Sequence, residues 1–349
     1  MANLTLLDWA KRTDPDGSAP IIANLLSQTN EILQDATYVQ GNLPTGHRVT
    51  ISTGLPTVYY RALNEGIPTS KATTAQVDES CAILEARSEV DIDLAMLNGN
   101  SAEFRMGEAR MFIEAMNQKM ASAMFYGNPA DETKEFLGLA PRYSSLTGAG
   151  NSANVLDAGG TDTGENTSVW LCCWSDQSVF CPFPKGSNAG LLQEDLGRQT
   201  SFDAGGTGKR MEVMAERFQW KSGLVVKDWR YAVRIANVGT EATSDGAASA
   251  GGSITQLTGT MAPSALTNLV HQMMKAVARI PNLNMGRCSF YMNRTVYAGL
   301  MRLALEKSSS VLSIQDAATQ FGKPGAMLSF MGLPIRQCDA IVNTEETIS

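Results

Sequence analysis

Between Ser101 and Asn128 apolar side chains recur at four- and eight-residue steps, at Phe104, Phe112, Met116, Met120 and Met124. Arg105, Glu108, Arg110, Glu114 and Lys119 take intervening positions, so the stretch reads as one long amphipathic helix. Asn100 with Glu103 three residues on has the form of a capping box, and Gly127, Asn128 and Pro129 end the run. At about 1.5 Å per residue such a helix is roughly 40 Å long, comparable to a small domain. It bears no catalytic side chain and reads as a stiff beam.

A period of two takes over elsewhere. Val77 to Leu97, "VDESCAILEARSEVDIDLAML", alternates as one long strand leading into the helix. In Gly41 to Lys71, Arg48, Thr50 and Ser52 alternate with Val49 and Ile51 before a "TGLP" turn and a second β-rich run through Tyr59 and Tyr60. This predicts a polar two-stranded hairpin with little apolar surface. A lone hairpin is marginal in water, so it should lie against something, and a neighbouring subunit is the natural candidate.

Ahead of the hairpin, Leu4 to Leu33 holds two short helical patterns around the breaker Asp14 to Gly17. After the helix, a loop rich in Gly, Asn, Asp and Thr runs from about Thr147 to Asn166. Two strand-rich stretches follow, "SVWLCCWSDQSVFCPFPKG" and "FQWKSGLVVKDWRYAVRIANV", parted by a polar excursion around Asp203 to Gly208. Gly239 to Gly259 is small and polar, the clearest linker or insertion. Beyond it come two amphipathic helices, "SALTNLVHQMMKAVARI" and "NRTVYAGLMRLALEKS", a buried strand "RCSFYM" between them and a closing strand pair in "MLSFMGLPIRQCDAI". The fold class expected is α+β.

Length and composition narrow the function classes. At 349 residues and 43% hydrophobic the chain can bury a sizeable core, and its formal charge of −7 argues against a dedicated nucleic-acid binder. The N-terminus carries Asp8 inside its apolar part, unlike a secretory signal, and no run of eighteen apolar residues occurs. The six cysteines make no CxxC, so they are expected to be reduced core thiols.

Candidate chemistry is sparse, and no catalytic, metal or cofactor-binding residue is assigned. The two histidines, His47 and His271, are isolated. "GGTGKR" fails as a phosphate loop because Asp203 and Arg210 stand where Gly and Ser or Thr are required. Asp91 and Asp93 are better read as the polar face of a strand than as a metal pair. Lys71 raises an isopeptide link to another subunit's asparagine, with a solvated loop lysine the favoured reading.

The stretches "LSQTNEILQDATYVQGNLPTGHRVTISTGLPTVYYRALNEG", "EFRMGEARMFIEAMNQKMASAMFYGN", "FLGLAPRYSSL", "DWRYAVRIANV", "NMGRCSFYMNRTVYAGL" and "SFMGLPIRQCDAI", spread from about Leu26 to Ile341, together resemble the major capsid proteins of tailed phages. That is the Hong Kong 97-like fold, and in detail the chain is similar to coat proteins of short-tailed phages. The resemblance implies an N-terminal arm (1–40), an extended loop (41–80), a peripheral domain with its spine helix (81–238, helix 101–127), a flexible insertion (239–263) and an axial domain (264–349). The strand-rich "FQWKSGLVVKDWRYAVRIANV" precedes the axial module rather than following the "GLPIR" strand, which suggests a permuted segment order.

The function implied is self-assembly into hexamers and pentamers of an icosahedral head around double-stranded DNA, made in the host bacterial cytoplasm. No enzyme activity, cofactor or membrane contact is expected. A short N-terminus points to a separate scaffolding protein, alongside a portal and a cement protein, and the acidic balance to weak, non-specific contact with DNA. Candidate inter-subunit contacts are Trp9, Arg12, His47, Arg48, Tyr59, Tyr60, Arg61, Lys71, Arg105 and Arg110, with hinges at Gly41, Gly54, Gly66 and Gly127. The alternatives are an encapsulin-type nanocompartment shell and a cytosolic α+β enzyme.

Overall fold

The computed structural model describes residues 26–96, 101–160, 164–202, 208–239, 263–305, 312–316 and 326–349. Trp9, Arg12, the Asn100 cap and most of the 239–263 insertion lie outside them. The elements are α1 (Ile32–Asp35), β1 (Tyr38–Gln40), β2 (Gly46–Gly54), β3 (Thr73–Asp91), α2 (Ile92–Ala95), α3 (Ser101–Tyr126), α4 (Leu139–Arg142), β4 (Val155–Asp157), β5 (Asn166–Trp174), β6 (Val179–Phe183), β7 (Leu191–Phe202) and β8 (Arg210–Gly223). There follow β9 (Val225–Val226), β10 (Ala232–Gly239), α5 (Pro263–Arg279), β11 (Arg287–Met292), α6 (Arg294–Leu305), β12 (Leu312–Asp316), β13 (Ala326–Phe330) and β14 (Leu333–Gln337).

The long helix forms as its periodicity predicts, and it serves two sheets. Its N-terminal half lies on the four-stranded sheet β2-β3-β8-β7, where Ala109 and Met116 pack with Phe218, Leu84 and Trp220. Phe112 stacks on Phe218 with ring centroids 5.6 Å apart. Its C-terminal half, Met120 to Phe125, enters the main core beside Trp170. The beam therefore joins two packed bodies of side chains.

That main core surrounds a sheet of ten strands among the described residues, with β1-β6-β5-β11-β14-β13-β12 in order and β10, β4 and β9 attached. All nine residues of β5 are buried. This is the near-continuous apolar run of a strand covered on both faces, seen in sequence as "SVWLCCW". β5 pairs antiparallel with β10 on one side and β11 on the other, so the sheet crosses the 239–263 insertion. Asn30, near the start of the described residues, and the C-terminal segment are sewn in as well. Asn30 bridges Cys338, and Glu345 bridges Asn166.

Three expectations need correction. The strand after Val77 stops at Asp91 instead of running to Leu97, because the Asp91 carboxylate accepts a bond from the Asp93 amide and caps α2. The second strand of the polar hairpin is the start of β3, Thr73 to Ser80, and not the run through Tyr59 and Tyr60, which joins no strand among the described residues. Cys173 and Cys288 stand directly opposite across β5 and β11 and form a disulfide, while Cys81, Cys172, Cys181 and Cys338 are free. Their sequence separation of 115 residues concealed that register.

Candidate assembly surface

The hairpin of β2 and β3 is fastened at its base and unsupported at its tip. At the base, Val49 is buried against Phe180 and Val225, with Val39 and Ile51 around them. The His47 ring meets Phe180 edge-on, with centroids 5.2 Å apart. Burial, and then the charge of Lys227, lowers the His47 pKa below its ordinary value.

Glu79, opposite His47 in the ladder, accepts two bonds of 2.6 and 2.7 Å from Arg142 of α4. The same guanidinium donates to the carbonyls of Leu137 and Leu224, both at 3.2 Å. The Arg142 and Glu79 side chains are only 9% and 12% exposed, and Arg142 Nε is buried with no hydrogen-bond partner among the described residues. A bidentate pair withdrawn from water fixes both position and orientation.

Further out, the hydrogen bonds among the described residues stay within the loop. Arg48 and Asp78 pair across the strands in solvent, and the hydrogen bond from Arg48 holds the Asp78 carboxyl below its usual range. Thr53 bonds Thr73, and Ser70 donates to the Thr57 carbonyl. Between the strands, Leu55, Val58, Tyr60, Leu63 and Ile67 are all exposed, Leu63 at 96%. Several large apolar side chains exposed together on the end of an arm are typical of a surface that meets a partner.

The sequence-derived contact residues divide accordingly. Tyr59, Tyr60, Arg61 and Lys71 lie on the exposed tip, and Arg48 on the exposed shaft. His47 belongs to the half-buried base. Arg105 is committed within the chain, at 2.8 Å from Asp195 and 2.6 Å from Glu216. Arg110 is exposed on α3, its guanidinium near the Met106 sulfur.

The glycines divide too. A Cβ at Gly41 would lie 2.5 Å from the Gly46 carbonyl oxygen, and one at Gly127 would lie 2.5 Å from the carbonyls of Ala123 and Phe136. Both positions are there for close approach of backbone rather than for freedom. A Cβ at Gly54 would lie 2.6 Å from Thr73 Oγ1, while one at Gly66 would meet open space.

Sequence reasoning missed the Glu79–Arg142 pair, whose members are 63 positions apart. It also read the hairpin as poor in apolar surface, although "GLPTVYYRALNEGIP" carried that signal in plain view. A second missed cluster holds the C-terminal tail. Arg234, buried over the Trp170 ring at 5.1 Å, pairs with Glu345 at 2.9 Å and donates to the Tyr143 carbonyl and Ser168.

Comparison with known proteins agrees with this architecture. The chain superimposes on a chain of the cryo-EM structure of bacteriophage Epsilon15 with a TM-score of 0.71 and 28% identity, covering 100% of this chain and 98% of that one. Weaker likenesses are to the capsid of bacteriophage JBD30 (TM-score 0.46, 11% identity, 97% and 99% covered) and the SrpI encapsulin of Synechococcus elongatus (TM-score 0.45, 10% identity, 68% and 97% covered). No curated protein matches the chain. A sequence profile of the major capsid protein GP7 family matches residues 14–349, and with a Hong Kong 97-like fold running the length of the molecule the chain belongs to that family, a structural protein of the phage virion shell.

Proposed function

We propose that the chain closes an icosahedral head from hexamers and pentamers of itself, with the β2–β3 loop of each copy lying over the next. The observation that carries this reading is the apolar tip, exposed at the end of an arm with a buried base. A shell subunit gains from several modest contacts rather than one strong one, because weak contacts can reopen and correct errors while multivalency supplies the overall affinity.

In this reading residues 41–80 are the extended loop, 81–238 the peripheral domain and 264–349 the axial domain at capsomer centres. Residues 1–40 are the N-terminal arm. The chain acts as a building block rather than an enzyme. Its formal charge of −7 suits a wall that touches packaged DNA weakly and without sequence preference. A separate scaffolding protein guides assembly, with a portal and a cement protein as further partners.

The test is electron microscopy of the chain expressed alone and with candidate scaffolding proteins. Closed shells with pentamers at the vertices are expected. A small monodisperse oligomer under every condition would overturn the reading.

A further inference from the structure

We infer that the Glu79–Arg142 pair is a positioning clamp that sets the angle at which the extended loop leaves the molecule, and through it the curvature of the shell. The inference rests on the reading of that loop as the arm reaching the next copy.

Its first support is location. Glu79 lies on β3 two residues before Cys81, where the partner of β3 changes from β2 to β8. The loop therefore departs from the four-stranded sheet next to Glu79. Arg142 belongs to another part of the chain, α4, and its further bonds to the Leu137 and Leu224 carbonyls tie it to two separate backbone segments. A bidentate pair between a strand at the point of departure and a guanidinium held by the body resists rotation as well as translation.

Its second support is leverage. From Glu79 to Thr73 the paired strands extend about 20 Å at roughly 3.3 Å per residue, before the tip begins. A rotation of about 10° at the clamp moves their end by about 3.5 Å, most of one strand spacing. An apolar tip displaced that far no longer meets the same surface on its neighbour. The contacts beyond Val49 and Ile51 do not correct the angle, since among the described residues the hydrogen bonds of residues 53–73 stay inside the loop.

The remaining contacts at the base restrain the loop differently. Val49 against Phe180 and Val225 is a non-directional apolar contact. The hydrogen bond from the Cys81 amide to the Thr45 carbonyl, 3.0 Å, closes the hairpin on itself. The Gly41 amide donates to the Phe183 carbonyl at 2.7 Å and the Lys185 amide to the Leu43 carbonyl at 3.3 Å, which holds the lead into β2, while Glu79 and Arg142 supply the charged, two-bond restraint on β3.

The test uses Glu79→Gln, which keeps the shape and removes the charge, and Glu79→Asp, which keeps the charge and shortens the reach. Hydrogen exchange is followed on the unassembled chain, and shells are imaged after assembly. In Glu79→Gln, amides of residues 46–49 and 78–81 should exchange about tenfold faster while those of β5 and β11 stay as in the parent. Shells should spread in diameter, with Glu79→Asp closer to the parent on both readouts. Unchanged loop exchange and uniform parental diameters would overturn the clamp, as would faster exchange in step across the whole molecule. Because exchange is read on the chain itself, failure of the parent to form shells would count against the hexamer and pentamer reading and leave the clamp to stand or fall on its own data.

Discussion

At Arg234 a full positive charge sits in the main core, surrounded by the Glu345 carboxylate, the Ser168 hydroxyl, the Tyr143 carbonyl and the face of Trp170. The two charged side chains are 5% and 6% exposed, so neither can fall back on water if the other is removed. Tyr126 adds a 2.5 Å bond to the other Glu345 oxygen, and Ser168 bonds the carboxylate as well. Glu345→Gln leaves a buried cation without its counter-charge and should cost about 3–5 kcal/mol. Urea unfolding of the unassembled chain measures this, and a parental midpoint would show that the pair contributes nothing net.

His47 presents the opposite case, a group that burial keeps neutral. Its folded pKa lies below the ordinary value of about 6.5, so between the two values the unfolded chain binds the proton more readily than the folded one. The contribution to stability is complete above about 6.5 and is lost as pH falls through the folded pKa. His47→Gln, lacking that proton uptake, should lose less melting temperature than the parent on going from about pH 7.5 to 5.5. Parallel losses in the two proteins would show that His47 is not a stability-determining titration.

Among the elements, the spine helix depends on how its C-terminal end is received. Gly127 follows Tyr126, its amide bonds the Ala123 carbonyl at 2.9 Å and its carbonyl takes the Gly138 amide at 2.7 Å. A methyl group there would press on two carbonyl oxygens, and both belong to backbone that cannot swing aside. Gly127→Ala should therefore destabilise the chain by about 1–3 kcal/mol, as overpacking does, with the thermal midpoint as readout. A stability equal to the parent would mean that the helix end and residues 136–138 separate without cost.

The same scale shows why some elements were legible and others not. The long helix, α5, β11, α6 and the β13–β14 pair arise from local periodicity and turn signals, so the sequence predicts them nearly as they stand. The run through Tyr59 and Tyr60 has strong β propensity yet forms no strand, because propensity reports how a residue suits a pleated surface and no partner strand lies alongside among the described residues. Asp91 and Asp93 alternated convincingly with Val90, Ile92 and Leu94, but a cap ended the strand between them. Short-range patterns could not separate the two outcomes.

For the whole molecule, the loop is the feature with the greatest reach. Leu55 and Leu63 are 89% and 96% exposed and contribute almost nothing to the fold of a single chain. The double variant Leu55→Ser, Leu63→Ser should keep the parental melting temperature while failing to assemble shells, a separation that surface substitutions permit and core substitutions do not. Assembly at the parental yield, seen by electron microscopy or sedimentation, would remove the tip from the interface. The Glu79–Arg142 clamp predicts the complementary behaviour, in which the tip keeps its apolar side chains but meets its neighbour at a different place.

The sequence by itself determined the elements whose cause is local: the beam from Ser101 to Tyr126, the buried run of β5, the helices α5 and α6 and the closing strands. It also carried the resemblance to phage capsid proteins, because that resemblance lies in stretches spread from about Leu26 to Ile341. Only the tertiary structure decided which residues act together. Glu79 with Arg142, Arg234 with Glu345 and Cys173 with Cys288 meet across separations of 63, 111 and 115 residues. Such pairs leave no periodic trace, since strand register and sheet order, not neighbouring sequence, set their distances. The glycines assigned as hinges make the same point, for whether a missing side chain gives freedom or makes room depends on what lies opposite, and at Gly41 and Gly127 a carbonyl lies there.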